Sequence, residues 1–107
     1  MFFHESIYDE ILDKVVAVVK RDFRPGVPTD PTTAMGPVIS KAAEDRVLGY
    51  IESGKSEGAK LVCGGKKLEG ISGIEGGYFI ELTIFGDVNT AMKIARKEIF
   101  GPVMSVF

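Results

Sequence analysis

Apolar positions recur at three- and four-residue intervals through Ile7, Ile11, Leu12, Val15, Val18 and Val19, which predicts a helix over residues 6–20 with Ser6 as its cap and Asp9 in its first turn. The β-branched valines lower its intrinsic propensity, so packing must hold it, and a strand over residues 15–19 is the alternative. Pro25, Pro28, Pro31 and Pro37 then exclude regular structure from residues 22–37, which read as an extended loop. A second helix is expected over residues 41–57, capped by Ser40 and stopped by Gly58 at C′. Its inward face would be Ala43, Val47, Leu48 and Ile51, with Glu44, Arg46, Glu52 and Lys55 toward water.

The pattern then changes period. Residues 59–63 form a short apolar run closed by Gly64 and Gly65, read as a strand entering a turn. Six glycines between 64 and 77 imply a mobile loop or irregular hairpin, and the flanks lack the strand–helix context of a dinucleotide-binding glycine motif. Residues 78–85, dense in aromatic and β-branched side chains, read as one strand well inside a sheet. Asn89 is the expected cap of a short helix through residues 90–96, and Val103–Phe107 opens another apolar strand. No internal repeat is present. The chain closes within that last run without a polar stop, which leads us to expect a segment truncated at both ends.

Size and composition bound the rest. With 107 residues the chain is at most one domain, and 45% hydrophobic with 26% charged residues is ordinary for a globular protein. Thirteen basic against fifteen acidic residues, scattered singly or in pairs, give no footprint for nucleic acid. Val15–Val19 is the longest apolar candidate and falls far short of the ~20 residues that cross a bilayer. The acidic turn at Glu5 argues against a signal peptide, so cytoplasm or mitochondrial matrix is the expected setting. One cysteine, Cys63, and one histidine, His4, exclude an internal disulfide and a Cys/His metal cluster.

Two segments carry a resemblance. Lys97-Glu98-Ile99-Phe100-Gly101-Pro102-Val103 is similar to the Glu-Ile-Phe-Gly-Pro segment of the aldehyde dehydrogenases, and Gly77-Tyr78-Phe79 opens a stretch similar to the strand preceding it. Glu5–Glu10, Met35–Ile39 and Gly49–Lys60 add matches in the same order, so the resemblance covers nearly the whole chain. It implies an α/β fold with helices packed on a largely parallel sheet, in the C-terminal part of the catalytic domain. It also implies oxidation of a small-molecule aldehyde with NAD or NADP through a cysteine thioester, in a homo-oligomer. Glu98 corresponds to the carboxylate that accepts hydrogen bonds from the nicotinamide-ribose hydroxyls, and Phe100 to the ring beside the nicotinamide.

There are departures. Leu82 stands where the family commonly has proline, Lys97 where an acidic residue is frequent, and Asn89-Thr90-Ala91 where acidic residues often precede Met92. The family's nucleophilic cysteine, general-base glutamate, oxyanion asparagine and dinucleotide-binding units do not occur in these residues, so alone they should be inert. Taken without the family, Glu98 is an exposed charge, Phe100 a core residue, Lys66-Lys67 a solvated loop tip and His4 a surface histidine. Cys63 reads as a small packing thiol; a hydrolase built on it, and a non-catalytic self-associating module on the same fold, are the competing functions.

Overall fold

A computed structural model describes residues 1–107. After a 3₁₀ turn at Glu5–Ile7 come α1 (Tyr8–Asp22), α2 (Lys41–Ser56), β1 (Lys60–Cys63), β2 (Lys67–Leu68), β3 (Phe79–Ile80), β4 (Thr83–Gly86), α3 (Lys93–Arg96) and β5 (Val103–Ser105).

The two long helices arise as their patterns predict, and the strand alternative over 15–19 falls. The cap of the first does not hold. His4 Nδ1 accepts from the Ser6 amide at the 3₁₀ turn, while Ile7 opens α1 without any side-chain bond, so Ser6 is a capped residue and not the cap. In α2, Ser40 Oγ does accept from the Ala43 amide at 3.1 Å, and Gly58 follows the helix at φ 92°, a conformation glycine adopts without strain. Residues 22–37 close on themselves: the Ala34 and Met35 amides donate to the Arg24 carbonyl, and Asp30 accepts from both the amide and the hydroxyl of Thr32.

Strands β1, β4 and β5 form one sheet in the order β1-β4-β5, and β2 pairs with β3 in a two-stranded ribbon. The expectation of a largely parallel sheet is corrected: β4–β5 is parallel, but β1–β4 and β2–β3 are antiparallel, so the α/β fold has a mixed sheet. The connections explain it. Between β4 and β5 lies α3, a crossover that returns the chain in the same direction, whereas β1 reaches β4 through the glycine-rich segment with no helix between them.

The single strand expected over 78–85 is also broken. Its first half pairs with β2 and its second with β1 and β5; the interruption falls at Glu81-Leu82. Long-range bonds fix the break: Glu81 N–H donates to Lys66 O, Thr83 N–H to Pro102 O, and Gly65 N–H to the buried Thr83 Oγ1.

Alternation along β4 divides the interior. Phe85 points into a cluster with Val47 and Ile51 of α2 and Met92, Ile94 and Ile99, while Ile84 points the other way, onto Leu12 and Val19 of α1 and Val106. Helices therefore cover both faces of the sheet, as an α/β architecture requires. One residue of α2 defies its chemistry: Glu44, expected toward water, is fully buried. Its position explains this, because residues 44, 47, 48 and 51 share one helical face.

Candidate functional site

The segment joining α3 to β5 carries both residues singled out from the sequence. Its start is not set by Asn89, whose side chain accepts from the Ala91 amide and closes a turn instead. The helix begins only at Lys93, where Glu57 Oε2 accepts from the Lys93 amide at 2.9 Å across 36 residues of sequence. Lys97 is extended, at φ −124° and ψ 138°, and the chain leaves regular structure there.

Exposure alternates along the next three residues. Glu98 is exposed, Ile99 is buried in the α2-side core and Phe100 is 81% exposed. Ile99 thus nails the middle of the segment to the core while its two neighbours stay at the surface. None of the chain's ion pairs involves Glu98, so both carboxylate oxygens face solvent as acceptors. The expectation that Phe100, taken alone, is a core residue is overturned by its exposure.

Phe100 is also strained. Its φ is 50°, in the left-handed region, which costs a non-glycine residue about 1–2 kcal/mol. A bulky side chain held there must be over-determined by its surroundings. Three contacts supply that. Arg46 of α2 donates through Nη1 to the Ile99 carbonyl and through Nη2, at 3.2 Å, to the Phe100 carbonyl. A Cβ on Gly101 would stand 2.5 Å from Val47 Cγ2, so glycine alone lets the segment lie this close to α2. Pro102 O then accepts from the Thr83 amide at 2.8 Å, leading the chain into β5. Glu98 and Phe100 lie two residues apart on one anchored, exposed segment; Arg46 and Val47, which hold it, were not singled out from the sequence.

Comparison with known proteins decides the lineage. The model of the aldehyde dehydrogenase family matches residues 1–107. The chain belongs to the aldehyde dehydrogenase family. It is 60% identical over 108 residues to aldehyde dehydrogenase tropH of Talaromyces stipitatus, covering 99% of this chain and 21% of that protein. The betaine aldehyde dehydrogenase of Mesorhizobium japonicum is 47% identical over 106 residues, with the same coverage. Among solved structures, aldehyde dehydrogenase KauB of Pseudomonas aeruginosa superposes with a TM-score of 0.91 at 45% identity. The Mycobacterium tuberculosis aldehyde dehydrogenase complexed with NAD⁺ superposes at 0.88 and 43% identity; each match covers 99% of this chain and 21% of the other. The chain thus spans about a fifth of the length of these aldehyde dehydrogenases.

The remaining reactive groups of this aldehyde dehydrogenase segment lie elsewhere. Cys63 ends β1, half-buried, with its Sγ 3.8 Å from the Leu82 carbonyl, and burial pushes the thiol up from its ordinary value. A thiol held protonated is a poor nucleophile. His4 is exposed and bonded to Ser6 Oγ at 2.9 Å. No group of His, Cys, Asp and Glu side chains is arranged to hold a metal ion, and no helix is long and apolar enough to cross a membrane.

Proposed function

We propose that these residues supply one wall of the nicotinamide pocket of an enzyme that oxidises a small-molecule aldehyde with NAD⁺ or NADP⁺. The nucleophilic cysteine and the general base are supplied by the part of the aldehyde dehydrogenase length that these residues do not span. The observation that carries the reading is the pairing of an unpartnered carboxylate and an 81%-exposed aromatic ring on one segment anchored by the buried Ile99 between them. The residues fit the group. Two carboxylate oxygens match two vicinal ribose hydroxyls, and an exposed ring offers a flat apolar wall that limits where the nicotinamide sits and keeps water from the hydride path. The dinucleotide, when bound, supplies the hydride acceptor.

In this reading Glu98 orients and Phe100 excludes. Neither residue exchanges a proton or forms a covalent bond, so their contribution is to geometry and should appear in cofactor kinetics. NAD⁺ complexes of the Mycobacterium tuberculosis and Pseudomonas syringae relatives support a nicotinamide dinucleotide as the cofactor class. Cytoplasm or mitochondrial matrix, and self-association of the whole enzyme, belong to the same proposal.

The test grafts this segment into tropH of Talaromyces stipitatus in place of its own matching fifth. Glu98→Gln and Phe100→Ala in the grafted enzyme should each lower kcat/KM for NAD⁺ by about tenfold or more, the effect of losing a charge-assisted hydrogen bond or a stacking wall. Unchanged kinetics in both variants ends the reading.

A further inference from the structure

We propose that Arg46 is a positioning residue for the cofactor wall: its guanidinium fixes the backbone of Phe100 and thereby the direction in which that ring faces. The inference rests on the nicotinamide-pocket reading and extends it to a residue on a different element, 54 positions away in sequence.

The geometry is specific. The Ile99 carbonyl belongs to the peptide plane before the Phe100 Cα and the Phe100 carbonyl to the plane after it. Those two planes define φ and ψ of Phe100. Arg46 donates to both carbonyls from one planar group, so a single rigid fork fixes both torsions of a residue held at φ 50°. The other restraints act beside Phe100 and not on it: Ile99 is anchored by burial, and Gly101 is pressed against Val47. Without the fork, the left-handed conformation loses the bonds that hold it, and Phe100 relaxes toward ordinary backbone torsions. A lysine keeps the charge at position 46 but presents one ammonium, which cannot span two carbonyls as a planar fork does.

The experiment uses the grafted enzyme with Arg46→Met, Arg46→Lys and Phe100→Ala, and Arg46→Met combined with Phe100→Ala. Without cofactor, amide hydrogen exchange across residues 97–103 should quicken about tenfold in Arg46→Met and by an intermediate factor in Arg46→Lys. With NAD⁺, Arg46→Met should lower kcat/KM for the cofactor about tenfold while leaving KM for the aldehyde in place. Because Arg46 acts through Phe100, the double variant should be no worse than Phe100→Ala alone. Full restoration by Arg46→Lys, an additive double variant, or unaltered exchange would overturn the proposal while leaving the pocket reading intact. Silence of Phe100→Ala and Glu98→Gln would overturn both. If Arg46→Met does not fold, the Arg46→Lys comparison decides by the same criteria.

Discussion

Gly54 of α2 lies against the ring of Phe85 in β4: a Cβ built on Gly54 would stand 3.0 Å from Phe85 Cζ and 3.1 Å from both Cε2 and Ile94 Cδ1. The helix and the sheet meet at this point because the residue has no side chain. Gly49 sits one and a half turns earlier in the same helix with nothing within 4 Å of the same construction. Intrinsic propensity favours alanine over glycine by about 1 kcal/mol at either position. Packing reverses the sign at one of them, since forcing a methyl into a filled core costs about 1–3 kcal/mol. We therefore predict that Gly49→Ala raises the thermal midpoint of the grafted enzyme and Gly54→Ala lowers it. Equal shifts from the two would show that the contact with Phe85 does not govern.

Glu44 is the one fully buried carboxylate, and neither of its oxygens has a hydrogen-bond partner. Lys41 Nζ stands 3.4 Å from Oε2 and Lys67 Nζ 3.5 Å from Oε1, with their own side chains 57% and 39% exposed. Removing one member of a buried ion pair is usually costly because it strands the other charge. Here both lysines already reach water, so nothing is stranded. Glu44→Met should leave stability unchanged or raise it by about 1–2 kcal/mol, measured as a shift in urea midpoint at constant slope. A loss of that size would mean that the carboxylate holds α2 to the β2–β3 ribbon by more than proximity.

What the sequence made legible was what is local. Ser40 and Gly58 delimit α2 because a cap and a C′ glycine act within one turn, and the apolar spacing of residues 7–19 needed no partner to be read as a helix. Glu44 was misread by polarity although its spacing from Val47, Leu48 and Ile51 already put it on the buried face. The split between β3 and β4 could not be read, since Lys66, Gly65 and Pro102 impose it from afar. The same holds for α3, which waits for Glu57 to reach Lys93. The antiparallel pairing of β1 with β4 has a signal in the sequence, because no helix lies between them. At the site, Glu98 and Phe100 were legible only through family resemblance, and Arg46 not at all, because its bonds to residues 99 and 100 exist only once α2 and the α3–β5 segment meet.

Cys63 gives a prediction with a definite sign. Burial first of all raises its pKa, so the folded chain keeps the thiol protonated to higher pH than the unfolded chain does. Its contribution to stability is fully present below the thiol's unfolded value and is lost as pH rises through the higher folded value. Alkylation by iodoacetamide at pH 8 should run well below the rate of a free cysteine and climb steeply above that pH. Cys63→Ser should leave aldehyde oxidation by the grafted enzyme intact. Rapid alkylation at pH 7, or loss of turnover in Cys63→Ser, would restore the cysteine as a reactive group.

An apolar hollow where α1 meets the sheet sets the behaviour of the 107-residue chain by itself. Val18 is 41% and Phe23 44% exposed, and with Ile11, Val15, Leu82 and Met104 they line an apolar hollow of about 400 Å³. Contiguous apolar surface of this kind drives association when nothing else covers it. The isolated chain should therefore scatter light as oligomers well above its 11.6 kDa. Val18→Glu together with Phe23→Ser adds charge and removes a ring from the hollow's exposed lining while leaving the buried Leu12 and Val19 untouched, so the pair should shift the chain toward monomer without unfolding α1. A parent chain that is already monomeric would locate the source of association elsewhere, and a doubly substituted chain that still associates would assign it to the exposed edges of the sheet.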